Sequence, residues 1–212
     1  MKFYVKDNSF CDNSENSVYL QNSNWDDWFE FETVYSVYYL NKLIGSIKIG
    51  RVGQTERRAE LPDSFTSLPE SYFSLGTSTN YYSNLKDCNK RIEILKGLKD
   101  VAYDLELFDK IVAQRVTQIS LLRDISVSTV KGQFHRIADG GAVLTDYDFK
   151  YILPDKDFIT GDNQHLDFRV DAENNMPSSN IHVLIGNNGI GKTTIIKGML
   201  KALLFNNQKE QY

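Results

Sequence analysis

A chain of 212 residues that is 41% apolar and 25% charged is long enough for one or two domains with a sizeable core. Its 13 Gly and 4 Pro exclude a collagen-like, low-complexity or wholly disordered chain. A net charge of −4 excludes a globally basic nucleic-acid binder and leaves room only for a local basic patch.

No apolar run reaches the length of a membrane span, and Met1-Lys2-Phe3-Tyr4-Val5-Lys6-Asp7 is too polar for the core of a signal peptide. Cys11 and Cys88 form no CxxC pair, which argues against zinc and against a disulfide framework. They read as free thiols in a reducing cytoplasm, and a cytoplasmic location is expected.

Residues 1–60 read as β-rich. The run Phe29–Leu40 is dense in aromatic and β-branched residues, Asn41-Lys42 interrupts it, and Leu43–Ile49 returns. Alternation places Leu43, Gly45, Ile47 and Ile49 on one face, with Ser46 and Lys48 on the other. Residues 61–140 change period. Tyr81, Leu85, Cys88, Ile92, Leu95, Leu98 and Ala102 recur at steps of three and four, which predicts one apolar stripe on a long helix. Asn80 or an upstream Ser/Thr suits its cap, and Gly97 is a point at which it splits. A second, shorter helix is expected over Ser128–Ala138, ended by Gly140-Gly141.

Strand character returns at Asp146–Leu153 and His165–Val170, with Gly161-Asp162-Asn163 as a turn between them. Asn174–Asn180 reads as a loop. Ile181-His182-Val183-Leu184-Ile185 is an apolar run of the kind that forms a strand buried on both faces.

The nine residues that follow carry the chemistry. Gly186-Asn187-Asn188-Gly189-Ile190-Gly191-Lys192-Thr193-Thr194 fits the pattern of Gly, four residues, then Gly-Lys-Ser/Thr. Gly186, Gly189 and Gly191 admit turns closed to other residues and keep side chains off a phosphate. The loop N–H groups and the positive end of the next helix then bind oxygens. Lys192 is suited to the β- and γ-phosphates, the Thr193 hydroxyl to Mg²⁺, and Thr194 to the α-phosphate. Two ridges, Ile195/Met199/Leu203 and Ile196/Leu200/Leu204, mark the helix after the loop.

This stretch resembles the Walker A loop of ABC-type P-loop ATPases, above all the SMC, RecF and OLD-like branches, where Asn-Gly-x-Gly-Lys-Ser/Thr is usual. Asn188 matches that Asn, and the similarity runs from Ile181 to Leu204. Asn24–Phe31 more loosely resembles the opening of some bacterial AAA-family ATPases. The resemblance implies an α/β fold: a mixed β-lobe over 1–60 and 141–212, a helical insertion over 61–140, and a final strand, loop and helix.

It also implies Mg²⁺ and ATP binding, a second ATPase subunit or dimer mate, and DNA as a partner. In that family a Walker B strand ending in Asp-Glu, a signature motif and a switch His follow Walker A. No apolar strand ending in paired acids follows Thr194 here. The expectation is therefore the N-terminal part of an ATPase that binds nucleotide but does not hydrolyse it alone, with no catalytic residue assigned. Two alternatives stand beside it: a nucleotide-sensing interaction module that does not hydrolyse, and a structural domain with a vestigial loop.

Other groups have plainer readings. Asp26-Asp27, between Trp25 and Trp28, is a turn-capping pair before it is a metal site. His135, His165 and His182 lack ligand spacing and read as structural, although His182 lies close to the loop in sequence. The aromatics over 25–39 sit among acids that repel phosphate, so a packed sheet is favoured over base stacking. Arg51, Arg57 and Arg58, like Lys86, Lys90, Arg91, Lys96 and Lys99, read as solvated cations.

Overall fold

The computed structural model describes residues 1–6, 13–23, 30–153, 165–171 and 181–205. The chain divides into two units, Met1–Val143 and Leu144–Tyr212.

The first unit is built on six strands: β1 (Lys2–Lys6), β2 (Ser17–Asn22), β3 (Val34–Tyr39), β4 (Lys42–Arg51), β5 (Ser64–Phe65) and β6 (Tyr72–Gly76), in the order β5-β1-β2-β3-β4-β6. β1 and β2 run parallel, and every other neighbouring pair is antiparallel. Alternation sets the two faces. In β3, Tyr35, Val37 and Tyr39 are buried, and Val34, Ser36 and Tyr38 are half-buried.

The predicted hairpin is present, with one change of phase. Its turn falls at Leu40 and Asn41, both with left-handed φ (48° and 57°), the conformation a two-residue hairpin turn of this hand requires. The register then slips between Val37 and Tyr38, so that Val37 opposes Gly45 and Tyr38 opposes Leu43. The extra residue, Ile44, is buried while Leu43 is 56% exposed. A bulge reverses the side on which flanking residues fall, which is why Leu43 does not join Ile47 in the core. Lys48 is also buried rather than solvated; its ammonium donates to the Ser120 carbonyl at 2.5 Å.

Three helices follow: α1 (Thr79–Lys86), α2 (Arg91–Gly97) and α3 (Leu105–Ile111). The single long helix expected over 81–102 breaks at Asp87–Lys90, and its second part, α2, ends at Gly97. Tyr81, Leu85, Leu95 and Leu98 are buried as the stripe requires, but Ile92 is 45% exposed. Gly97 serves packing as well. The Phe3 ring lies where its side chain would be, with Phe3 Cζ 2.5 Å from an ideal Cβ position. α1 starts at Thr79, after Ser78, and α3 is capped by the Asp104 carboxylate, which accepts from the Leu107 N–H at 2.9 Å.

A π-helical turn, Thr117–Leu121, packs on β4. The last helical stretch runs through α4 (Val127–Thr129), a π-helical turn (Val130–Phe134) and α5 (His135–Ala138). Gly140, with φ at 97°, ends it as the sequence predicts, and Gly141 N–H donates to the Arg136 carbonyl at 2.8 Å. The core lies between sheet and helices, with Phe3, Val18, Leu20, Val37, Ile47 and Leu75 meeting Tyr81, Tyr82, Leu85, Ile94 and Leu95 in one cluster.

The division expected from the sequence therefore differs from that of the structure. Residues 61–140 are not a purely helical insertion, because they supply β5 and β6 to the sheet, and the short exposed-looking segments around 64 and 74 carried no strong strand pattern. They share a unit with 1–60, and the boundary falls after Val143.

In the second unit, β7 (Tyr147–Ile152) pairs antiparallel with β8 (His165–Val170), as the alternation in both predicts. Tyr147, Phe149 and Tyr151 share a face with Leu166, Phe168 and Val170. The opposite face is polar, with Lys150 3.4 Å and His165 3.2 Å from the Asp167 carboxylate. Helix α6 (Lys192–Phe205) completes the described part of this unit.

Candidate phosphate-binding loop

The run Ile181–Ile185 leads into the loop without strand pairing among the described residues. Ile181, Val183 and Ile185 are 71%, 76% and 88% exposed, so the expected strand buried on both faces is not formed. A strand needs hydrogen-bonded neighbours, and β7 and β8 pair with each other.

The loop itself has the geometry its glycines allow. Gly189 and Gly191 take left-handed φ of 85° and 95°, and an ideal Cβ at either meets nothing within 4 Å. Backbone strain, not crowding, is what reserves these two positions for glycine. At Gly186 a Cβ would lie 3.0 Å from Ile190 Cγ2, a tight contact with an exposed side chain. The Ile190 N–H donates to the Asn187 carbonyl at 3.4 Å and closes the turn that contains Asn188. Alternation of left- and right-handed backbone is the arrangement in which successive N–H groups converge on an anion.

α6 begins at Lys192, and Ile195 N–H donates to the Gly191 carbonyl at 3.0 Å as its first internal bond. The earlier N–H groups of its first turn have no intrahelical acceptor. The Lys192 ammonium folds back over the loop and donates to the carbonyls of Gly186 (2.6 Å) and Asn187 (2.9 Å). A cation is thus held over the loop mouth at the positive end of a 14-residue helix. Thr193 and Thr194 are exposed in that first turn. All nine residues named from the sequence, Gly186 to Thr194, are brought together here.

Both flanks of the loop touch the hairpin. The Phe168 ring meets His182 edge-on, with centroids 5.1 Å apart and planes at 70°. On α6, the Tyr151 hydroxyl packs against Gly198. One predicted ridge is half-buried at Ile195 and Met199, while Ile196, Leu200, Leu203 and Leu204 are 44–69% exposed.

The remaining sequence candidates lie elsewhere and have structural partners. Arg57 and Arg58 pair with Glu32 at 2.9 and 3.0 Å, and Arg51 pairs with Glu56 at 2.6 Å. Lys90 pairs with Glu93, Lys86 donates to the Gly141 carbonyl, and Lys99 donates to that of Pro69. His135 holds the Ala102 carbonyl at 2.7 Å through Nδ1. Cys88 is a half-buried free thiol whose pKa burial pushes up, so it is poorly suited to nucleophilic or metal chemistry. Cys11, Trp25, Asp26, Asp27 and Trp28 lie outside the described residues.

Sequence reasoning missed a buried polar pair in the first unit. Asp100 accepts from the Tyr82 hydroxyl and from the N–H groups of Ala102 (2.9 Å) and Tyr103 (3.0 Å). Desolvation raises its pKa to about 7 against those hydrogen bonds. A groove of about 980 Å³ near it is lined by lysines and carboxylates together, including Lys96, Lys99, Asp104 and Glu106, and so selects no charge. Among the described residues no group of three or more His, Cys, Asp or Glu is placed to hold a metal, and no helix is long and apolar enough to cross a membrane.

The structure defines a protein of two α/β units, the second carrying a glycine loop at the head of a helix. No family model matches the chain, and no solved structure matches it. Among curated proteins it is similar to Protein ea59 of Escherichia phage lambda, with 34% identity over 202 residues, covering 89% of this chain and 37% of that protein. The chain thus spans little more than a third of the length of the curated relative it matches.

Proposed function

We propose that this chain binds Mg²⁺-ATP through the loop Gly186–Thr194, as the nucleotide-binding part of an ABC-like ATPase. The observation that carries the reading is the position of Lys192. Its ammonium lies over the mouth of a loop whose glycines are left-handed and whose helix starts at that same residue. In this reading the lysine exchanges two carbonyl partners for β- and γ-phosphate oxygens, a stronger, charge-assisted pairing. The loop N–H groups bind the same phosphates.

Mg²⁺ would be held by the Thr193 hydroxyl together with phosphate oxygens, and when bound it neutralises phosphate charge. A site of this kind needs no preformed cluster of protein carboxylates. Hydrolysis in this reading belongs to groups beyond the loop, and the activity of a longer relative is not carried over to this chain.

Titration calorimetry with Mg²⁺-ATP on the wild type and on Lys192→Ala tests the reading. The substitution is expected to weaken binding by roughly ten- to hundredfold, the size of a lost charge-assisted contact of about 1.5–3 kcal/mol, while the circular dichroism spectrum is unchanged. Equal affinities, or no binding by the wild type, would reject it.

A further inference from the structure

The hairpin β7–β8 reaches the loop from both sides, and neither contact touches the phosphate site itself. Upstream, Phe168 packs on His182, four residues before Gly186. Phe168 is in turn stacked on Phe149, with centroids 4.7 Å apart and planes at 11°, so the contact is backed by the partner strand. Downstream, Tyr151 packs on Gly198, six residues after Lys192 and on the same half of α6 as the loop. Phe149, Tyr151 and Phe168 all belong to the apolar face of the hairpin.

The apolar run before the loop has no strand partner among the described residues, and three of its five side chains are more than 70% exposed. The contact of His182 with Phe168 anchors the run to the hairpin.

We propose that the hairpin is a positioning clamp for the phosphate loop, with Phe168 fixing its entry through His182 and Tyr151 fixing α6 through Gly198. The proposal deepens the nucleotide-binding reading and rests on it for its affinity readout. A loop that converges N–H groups on an anion works only if its two ends keep their separation and direction. A small displacement of either end misaims several donors at once. The clamp supplies that restraint without a residue in the site, so the hairpin and nucleotide are linked: what tightens one tightens the other, and by the same factor.

Gly198 gives the sharpest handle. A Cβ at 198 would collide with the Tyr151 hydroxyl, whereas the ring carbon Cζ behind it is 3.5 Å away, an ordinary contact. Gly198→Ala should thus lever Tyr151 off the helix, and removal of the hydroxyl alone should make room for the methyl. Helix propensity predicts the reverse, since alanine stabilises a helix relative to glycine and would firm up the loop.

The test uses the whole chain and four variants: Gly198→Ala, Tyr151→Phe, the double variant, and Phe168→Ala, with Lys150→Ala on the polar face as control. Mg²⁺-ATP affinity is measured by calorimetry, and amide exchange over 181–191 is followed without nucleotide. Gly198→Ala and Phe168→Ala are expected to weaken binding by about five- to tenfold and to speed loop exchange, with exchange in the first unit unchanged. Lys150→Ala is expected to behave as wild type. Tyr151→Phe, which gives up the hydroxyl contact, is expected to weaken binding less than Gly198→Ala does, and the double variant, whose methyl takes the place of the hydroxyl, to bind more tightly than Gly198→Ala.

Mg²⁺-ATP should in turn slow exchange across 147–152 and 165–170 in the wild type. Unchanged or tighter binding by Gly198→Ala, or no rescue in the double variant, overturns the clamp. If the wild type binds no ATP, the nucleotide reading fails by itself, and the clamp is then decided by loop exchange alone: unchanged exchange in Gly198→Ala and Phe168→Ala overturns it. Should Phe168→Ala unfold the unit, the Gly198 and Tyr151 set decides.

Discussion

The Tyr82 hydroxyl donates to both carboxylate oxygens of Asp100, at 3.1 and 3.3 Å, and accepts from the Gly76 N–H at 2.9 Å. Both side chains are fully buried. Burial raises the pKa of Tyr82 and Tyr81 well above the usual phenol range, and that of Asp100 to about 7. The pair therefore ties α1 to the turn after α2 at the expense of a carboxylate that resists ionisation.

Stability should consequently fall as pH rises from about 4 to about 7. Over that window the folded protein holds a proton on Asp100 that the unfolded chain has released, so unfolding is favoured by each step upward in pH. The full effect is on the order of 4 kcal/mol, from a shift of about three pKa units. Asp100→Asn keeps an acceptor for Ala102 and Tyr103 and removes the charge. Denaturant midpoints at pH 5 and 8 should differ for the wild type and converge for the variant; equal slopes would refute the assignment.

Gly97→Ala should destabilise the first unit although it places a better helix former in α2. The gain in propensity is about 1 kcal/mol. Against it stands the Phe3 ring, fully buried in β1, with Cζ 2.5 Å from the new methyl and the Thr66 carbonyl at 3.3 Å on its other side. Overpacking of a closed core costs about 1–3 kcal/mol, so a net loss is expected in urea melts. A rise in midpoint would mean that Phe3 moves freely.

Thr193→Val should separate metal from nucleotide. Valine keeps the shape of threonine and removes the hydroxyl that would meet Mg²⁺ at the head of α6. ATP affinity with Mg²⁺ should drop by about tenfold or more, the scale of a hydrogen bond or ligand contact to a charged group. With EDTA the variant and wild type should bind alike. A loss that persists in EDTA would place the defect in the loop fold instead.

These expectations rest on features of unequal legibility. The loop was readable because its residues are contiguous and its constraint is local: Gly189 and Gly191 need only their own backbone to explain them. At Gly97 the end of the helix was legible, but its packing role was not, since that depends on Phe3, far away in sequence. Alternation identified β3 and β4, but the bulge at Ile44 is set by pairing with Val37 and Tyr38, which no period within β4 reveals. Lys48 and Asp100 look like surface charges in sequence, and their burial is made tolerable by partners distant in sequence or on the local backbone, such as the Ser120 carbonyl for Lys48 and the Tyr82 hydroxyl and Ala102 and Tyr103 N–H groups for Asp100. The run Ile181–Ile185 has the composition of a buried strand, and composition cannot supply the neighbour that strand pairing demands.

Phosphate binding asks only for the backbone loop, Lys192 and Thr193. Hydrolysis asks in addition for a carboxylate that orients the attacking water and for an acid that holds Mg²⁺ through its shell. After Thr194 the sequence continues as α6 through Phe205, and Lys209 and Glu210 lie beyond the described residues. α6 itself carries no acidic residue. Of the four described acids in the second unit, Asp148 and Asp167 lie on the polar face of the hairpin, opposite the face that meets His182 and Gly198, and Asp146 and Asp171 adjoin the Tyr147–Val170 pair at the end of the hairpin away from Tyr151. Loss of a general base lowers a rate by 10²–10⁴-fold as an order of magnitude. The purified 212-residue chain with ATP and Mg²⁺ should therefore release phosphate no faster than Lys192→Ala, the blank that removes the site but not a contaminant. Turnover near 1 s⁻¹ that disappears in Lys192→Ala, an ordinary enzymatic rate to order of magnitude, would show that an acid within this chain reaches the γ-phosphate.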